Sequence, residues 1–324
     1  MAHAIRIHEQ GGPEVLRWEE AEVGKPGEGE VLVRQTAVGL NYIDVYHRSG
    51  VYPLPDLPTA IGMEAAGIVE AVGSGVTEFE PGDRVAYAGY RPGAYAEARI
   101  MPAHRLVPLP DGIDDRHAAA MMLQGMTAEY LIRRTYPVAA GQTVLWHAVA
   151  GGVGLIACQW LKQIGATVIG TVGTEEKAEL AAAHGCDHTI VYSRENFPER
   201  VREITGGRGV PVVYDGVGKD TWEGSLDSLS PRGMMVSFGN ASGPVPPVNL
   251  GILSQKGSLY VTRPTLMTYT ASRDDLLESA NALFAAVRNG LKIEVNQTYP
   301  LKDTAQAHRD LEARRTTGST VLLP

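Results

Sequence analysis

Residues 147–160 read HAVAGGVGLIACQW. An apolar strand end runs into a glycine-rich turn and then a helix, the layout of a dinucleotide-binding turn. In the G-x-G-x-x-G fingerprint one glycine allows the tight turn, one lets a pyrophosphate approach the backbone, and one lets helix and strand pack closely. With the last glycine laid on Gly154, the approach and packing roles fall to Gly151, Gly152 and Gly154, and Val149 stands where the first glycine would be. The helix N-terminus at Val153 offers unpaired N–H groups and the positive end of a dipole to a phosphate. A glycine-rich strand–helix turn also occurs without any ligand, so the neighbouring strands have to decide.

A site for NAD carries an acid about 20 residues further on, at the end of the second strand, bonding the ribose 2′-OH. That place is occupied by Gly173-Thr174, with no acid on the strand end itself. Thr174 offers a hydroxyl, and Lys177 lies in the first turn of the following helix, where a 2′-phosphate would meet it. Glu175 and Glu176 either repel such a phosphate or point to solvent, and Lys177 also reads as a solvated helix lysine. The pattern favours NADPH over NADH.

The elements that position these residues fall into two rhythms. In the first 120 residues short strands alternate with Gly/Pro turns: AIRI (4–7), EVLVRQTAVGL (30–40), GIVEAVGSG (67–75) and PGDRVAY (81–87). This spacing predicts a barrel-like β unit. One helix is expected at NYIDVYHRSG, started by Asn41 and stopped by Gly50. From about residue 120 to 260, continuously apolar strands (TVLWHAV, TVIGTVG, HTIVY, VPVVYDGV, MMVSFGN, SLYVT) alternate with helices, which predicts a doubly wound parallel sheet covered on both faces. A helix at SRDDLLESANALFAAVRNG, a strand near IEVNQTYPL, a helix near TAQAHRDLEARR and a terminal STVLL follow. The terminal strand is expected to return to the first unit. The expected division is a β-rich domain from 1–122 and 264–324, and a nucleotide-binding domain from 123–263.

The chain has 324 residues, 44% apolar and 20% charged, with a formal net charge of −8. This suits a soluble two-domain protein and argues against a general nucleic-acid binder, which shows a basic stripe. No apolar run approaches the roughly 18–20 residues of a membrane span. MAHAIRIHEQ lacks the organisation of a secretory leader. Two cysteines, Cys158 and Cys186, can form neither a cysteine cage for zinc nor a disulfide framework, and both read as core packing in a reducing cytoplasm.

Taken together, GGPEVL (11–16), GLNYIDVYHRSGVYP (39–53), GMEAAGIVEAVGSGV (62–76), PGDRV (81–85), LQGMTAEYLIRRTY (123–136), HAVAGGVGLIACQW (147–160), IGTVGTEEKA (169–178), VVYDGVGKDTW (212–222), VSFGNASG (236–243), QKGSLYVTRP (255–264) and the YPLKD…AH…LEAR…TGS tail carry a resemblance that runs from end to end. The chain resembles the zinc-independent quinone oxidoreductases, the zeta-crystallin-like branch of the medium-chain dehydrogenase/reductase superfamily. The resemblance implies a GroES-like catalytic domain beside a Rossmann domain, an NADPH cofactor, a cytoplasmic homodimer, and hydride transfer to a quinone with a semiquinone or hydroquinone product.

Zinc-dependent members of that superfamily place Cys, His and Cys around a catalytic zinc. The matching positions here are Asn41, Met63 and Gln124. Two amides and a thioether do not supply the three good ligands that catalytic zinc needs. The lobe that carries four structural cysteines is replaced by the short turn AYAGYRPG. Without a Lewis acid the substrate must be a good electrophile. Quinones fit, since hydride addition gives an aromatic oxyanion; activated enones fit less easily.

The resemblance further implies roles by position. Asn41, Tyr46, Gln124 and Thr127 would line a nicotinamide site in the cleft, although Asn41 also reads as the helix cap. Tyr46 and Tyr52 would donate to the developing oxyanion, or form an apolar wall. Gly151, Gly152 and Val153 would hold the pyrophosphate, and Gly173, Thr174, Lys177 and Tyr192 would surround the adenosine phosphate. Val217 would lie under the adenine side, where other members often carry Ser, and Phe238, Gly239 and Asn240 would follow the nicotinamide side. Arg314 would reach the cofactor from the last helix, with Arg315 as a competitor. GSLYVT (257–262) would form a sheet edge that pairs with its copy in a dimer. The alternatives are an NADPH-dependent reductase of alkenals and other α,β-unsaturated carbonyls, or a non-enzymatic NADPH- or RNA-binding crystallin-like protein. The net charge of −8 counts against RNA, and a salt-independent failure to retain any RNA would close that option.

Overall fold

The protein is described by a computed structural model covering residues 2–54 and 56–324. Its contacts divide it into two units. One comprises Met1–Met126, Tyr269–Ala285 and Ile293–Pro324; the other comprises Thr127–Thr268 and Ala286–Lys292.

The first unit is built on a mixed sheet whose centre is the long strand Glu30–Leu40. That strand pairs antiparallel with Glu64–Val72, with Ala98–Pro102, and with the terminal strand Ser319–Leu323. The return of the chain end to the first unit is therefore as expected. Val31, Val33 and Gln35 alternate inward as a half-buried strand should, and from Ala37 to Leu40 both faces are covered. A side chain at Gly39 would collide with Glu64 and with the carbonyl of Ala119, so this glycine lets the helix Asp115–Tyr130 and the Glu64 carboxyl close over the strand. The short helix Tyr42–Ser49 follows directly. The Asp44 carboxylate accepts from the Asn41 N–H at 2.9 Å, and Gly50 ends the helix in the left-handed region. The core gathers Ile5, Ile7, Val31, Val33, Ile61, Val69, Tyr87, Tyr95 and Leu322, all 1% exposed or less.

The second unit is a six-stranded sheet in the order His188–Val191, Thr167–Val172, Thr143–Trp146, Val210–Asp215, Leu229–Ser237, Tyr260–Thr262. Every neighbouring pair is parallel. The chain starts in the middle, at Thr143–Trp146, winds outward to one side and then to the other. Such an order leaves a topological switch point at the carboxyl ends of the strands Thr143–Trp146 and Val210–Asp215.

Several elements differ from expectation. GIVEAVGSG is strand only to Val72 and begins earlier, at Glu64. The strand Arg17–Ala21 escaped because RWEEA carries three charges and lies mostly exposed along Ala2–Ile7. The helix Trp222–Ser228 escaped because it contains Gly224 and is only seven residues long, too short for a periodic signal. Gly224 is needed there, since a side chain would strike Phe197 at 2.4 Å. The stretch HAAAMMLQGMTAEYLIRR (117–134), whose sequence predicts one helix, is α-helical only to Tyr130 and continues as one wide turn, Leu131–Thr135. Among the described residues no helix is long and apolar enough to cross a membrane.

Candidate functional site

Two constellations emerge, one in each unit. In the second unit, the strand Thr143–Trp146 leads into the turn that the sequence singled out. The helix begins at Gly152 with Gly151 as its N-cap. The left-handed residue of the turn is Ala148, with φ +53°, so the tight bend is made without glycine just before Val149. Val149 is buried and its N–H donates to the Thr171 carbonyl at 3.1 Å, which ties the turn to the next strand. A β-carbon on Gly154 would lie 2.4 Å from the Val149 carbonyl oxygen. Helix and turn touch there through backbone alone. The first N–H groups of the helix, at Gly152, Val153 and Gly154, have no carbonyl one turn back to bond.

Beneath the turn lies a hydrogen-bond chain of fixed direction. Asp215 ends the strand Val210–Asp215 and is fully buried. Its Oδ1 accepts from the N–H groups of Val217 and Gly218, and its Oδ2 accepts from the hydroxyls of Thr221 and Ser225. Since the Ser225 hydroxyl donates to Asp215, it accepts from His147 Nε2 at 3.0 Å, leaving His147 Nδ1 to accept from Thr171 Oγ1 at 2.9 Å. Burial depresses the His147 pKa and the Asp215 charge opposes this. His147 is thus a strut that ties the end of its own strand to Thr171 and, through Ser225, to Asp215.

At the second strand's end, Thr174 caps the helix Glu175–Ala183 and its Oγ1 accepts from the Lys177 N–H at 3.3 Å. The Tyr192 hydroxyl sits where a side chain on Gly173 would project, 2.9 Å from such a β-carbon. Ser193 Oγ donates to the Gly173 carbonyl at 3.1 Å. Arg194 forms an ion pair with Glu175. The structure therefore gathers Gly173, Thr174, Lys177 and Tyr192, and adds Arg194, which sequence reasoning missed because it lies on a different connection. Glu175, a complication in the sequence, is offset by that arginine. Val217 and Phe238 sit at the ends of the adjoining strands. Phe238 packs on Trp146 with ring centroids 5.7 Å apart, and Arg263 donates to the Gly239 carbonyl at 3.1 Å and faces the Asn240 amide.

In the first unit, Asn41 is 5% exposed and Gln124 7%. Gln124 Nε2 donates to Asn41 Oδ1 at 3.1 Å, and Asn41 Nδ2 donates to Glu64 Oε1 at 2.5 Å. Ser319 Oγ donates to Gln124 Oε1 at 2.8 Å, and the Leu123 N–H to Glu64 Oε2 at 2.6 Å. Glu64 and Asp44 are wholly buried, and burial pushes their carboxyls up to about 8 and about 7. Tyr46 and Tyr52 meet edge-on with centroids 5.0 Å apart, and Tyr42 leans on Tyr46 at 5.5 Å. Arg314 follows the helix Thr304–Glu312 in the left-handed region, exposed and close enough to Tyr42 to influence it electrostatically, whereas Arg315 binds Asp310. Thr127 is buried on the helix that carries Gln124.

Sequence reasoning missed Glu64, Asp44 and Ser319. The available signal was Glu64 itself, a charge inside the apolar run IGMEAAGIV. Met63 is buried beside it, and among the described residues no three His, Cys, Asp or Glu side chains gather as a metal site.

Residues 27–111 match the model of the alcohol dehydrogenase GroES-like domain, and 152–283 match that of a zinc-binding dehydrogenase. The chain is 58% identical to a quinone oxidoreductase of Pseudomonas aeruginosa, with 100% of both chains covered. It superposes with TM-score 0.98 and 52% identity, over 100% of both chains, on the Escherichia coli quinone oxidoreductase complexed with NADPH. It is also 49% identical to a 2-haloacrylate reductase of a Burkholderia species, over 100% of this chain and 99% of that one.

Proposed function

We infer the function from one premise: the chain belongs to the quinone oxidoreductase family, and joins a GroES-like domain to a nucleotide-binding dehydrogenase domain. It is an NADPH:quinone oxidoreductase that works without zinc. The observation that carries the nucleotide half of this reading is the Gly154–Val149 backbone contact beneath a helix N-terminus, beside a strand end that gathers Thr174, Lys177 and Arg194. The residues fit the cofactor. Gly151, Gly152 and Val153 would hold its pyrophosphate by backbone N–H groups. Gly173, Thr174, Lys177 and Tyr192 would surround the 2′-phosphate, while Val217, Phe238, Gly239 and Asn240 line the remaining strand ends.

Bound NADPH supplies a hydride to the quinone. The chain's part is to orient both molecules and exclude water. Asn41, Gln124 and Thr127 would border the nicotinamide, with Arg314 at its rim, and Asn41, Tyr46 and Tyr52 would provide hydrogen bonds to the reduced oxygen. Zinc independence is supported by the donor set: the Asn41 and Gln124 amides are spent on each other, on Glu64 and on Ser319. Reduction of an activated α,β-unsaturated carbonyl is the second reading, favoured by the 2-haloacrylate reductase relative. The two buried thiols suit a reducing cytoplasm.

Nucleotide preference is tested by titration. Lys177→Ala is expected to weaken NADPH about tenfold, the worth of roughly one charge-assisted contact, and to leave NADH affinity unchanged. Equal losses for both nucleotides would refute the 2′-phosphate role. The edge strand Tyr260–Thr262, with Tyr260 59% and Val261 39% exposed, supports a homodimer formed by edge pairing. Light scattering at micromolar concentration is expected to give a dimer mass that Val261→Lys reduces to a monomer; a monomeric parent protein would exclude it.

A further inference from the structure

The buried amides of the first unit form a chain with a single sense. Ser319 donates to Gln124, Gln124 donates to Asn41, and Asn41 donates to Glu64. Both oxygens of Glu64 receive N–H donors, from Asn41 and from Leu123, which is the pattern of an ionised carboxylate. The other end of the chain has no preference. The Ser319 hydroxyl also lies 2.9 Å from the Ala120 carbonyl, so it can donate there and accept from a reversed Gln124 amide. Turning both amides over would leave Gln124 and Ser319 bonded; the cost would fall on Glu64, where an amide oxygen would face a carboxylate, and on the Asn41 cap, whose oxygen would turn away from the Asp44 N–H.

We propose that Glu64 is a positioning residue for the reaction: as the terminal acceptor of this chain it fixes which way the Asn41 and Gln124 amides face, and so which atoms Asn41 presents to a bound quinone. The inference rests on the reading that Asn41 borders the reacting molecules. Gly39 is part of the device, because only a glycine there leaves room for the Glu64 carboxyl.

The charge on Glu64 is contested. Burial raises its pKa to about 8, the Asn41 and Leu123 donors pull it down, and the neighbouring Asp44 pushes it up. Asp44 is itself held by the Tyr95 hydroxyl at 2.8 Å, which receives His308 Nε2 at 3.1 Å. Arg48 lies behind His308, at 3.1 Å from its Nδ1, and pairs with Glu312. Tyr87, on the neighbouring strand Arg84–Ala88 with Arg99 over its ring, feels the Glu64 charge electrostatically. Protonated Glu64 can donate to an amide oxygen and loses its power to choose. The ordered amide orientation therefore gains population as pH rises through about 8.

The test compares the full-length protein with Glu64→Gln and Glu64→Asp. The glutamine has the same shape but would accept from Leu123 and donate to Asn41 Oδ1, which reverses the chain. The expected result has three parts. For wild type, kcat/KM with 1,4-benzoquinone rises with pH through about 8 toward a plateau above it. For Glu64→Gln it is flat and roughly tenfold below that plateau, the worth of about one oriented hydrogen bond, with NADPH affinity retained. In the nucleotide-free protein, the side-chain amide NMR signals of Asn41 and Gln124, identified by selective labelling, titrate with pH in wild type, stop doing so in Glu64→Gln, and return toward the wild-type pattern in Glu64→Asp. Amide signals that ignore Glu64→Gln, or a rate profile that keeps its wild-type height and slope in that variant, would overturn the proposal. Absence of quinone turnover in wild type would instead overturn the proposed function, and the amide signals would still decide the role of Glu64.

Discussion

Gly154→Ala is expected to raise the Kd for NADPH about a hundredfold, close to 3 kcal/mol, in a protein that remains folded. The β-carbon would come within 2.4 Å of the Val149 carbonyl oxygen and 2.7 Å of its carbonyl carbon and α-carbon. Those are backbone atoms, fixed by the Val149 N–H to Thr171 bond and by the buried Val149 side chain, so they cannot swing aside. The helix Gly152–Ile164 must withdraw from the turn instead. Its first N–H groups then leave the positions where a pyrophosphate would meet them, and displacements near 1 Å are costly at such sites. Gly151→Ala is the control: its β-carbon meets only the Ala148 carbonyl oxygen at 3.2 Å, and its effect should be several-fold smaller. Nucleotide fluorescence titrations of both variants, with circular dichroism to verify folding, give the comparison. Equal affinities in the two variants would mean that the close backbone contact does not set the turn.

Asp215→Ala is expected to be the most destabilising of the substitutions considered, costing about 4–5 kcal/mol. One carboxylate serves four donors: two backbone N–H groups that start the turn 215–218, and the hydroxyls of Thr221 and Ser225. Removal strands all four in a site with no access to water, and Ser225 then loses its reason to accept from His147. At roughly 2–4 °C per kcal/mol for a unit of this size, the melting temperature should fall by about 10 °C. Asp215→Asn keeps the shape and part of the accepting capacity and should lose about half as much. If calorimetry finds the alanine variant within about 1 kcal/mol of wild type, the network is not the strut described.

Much of the second unit was legible because its signals are local. TVLWHAV, TVIGTVG and VPVVYDGV are apolar runs between helices, and a strand buried on both faces has no other reading in that context. The strand Glu30–Leu40, the helix Tyr42–Ser49 and the final Ser319–Leu323 also matched, since each is bounded by a capping or turn residue. Trp222–Ser228 did not, because its glycine is there for a contact with Phe197 that lies far off in sequence. The candidate site divides the same way. Gly151, Gly152, Gly154, Thr174 and Lys177 could be read from spacing, because two successive strand–turn–helix units hold them. Asn41, Gln124 and Ser319 come together only through the sheet, and nothing in the sequence foretold that Glu64 would be the common acceptor between Asn41 and Leu123. Arg194 was hidden for a related reason: its partner Glu175 precedes it by one whole helix and strand.

The central claim, NADPH-dependent quinone reduction without zinc, is tested most directly by following NADPH oxidation in chelator-treated protein. Quinones are offered first, then an enone, and the series is repeated with NADH. The account predicts rapid turnover with 1,4-benzoquinone or a naphthoquinone, faster with NADPH than with NADH, and unaffected by the chelator. Turnover that needs added zinc, or that occurs only with the enone, would contradict it.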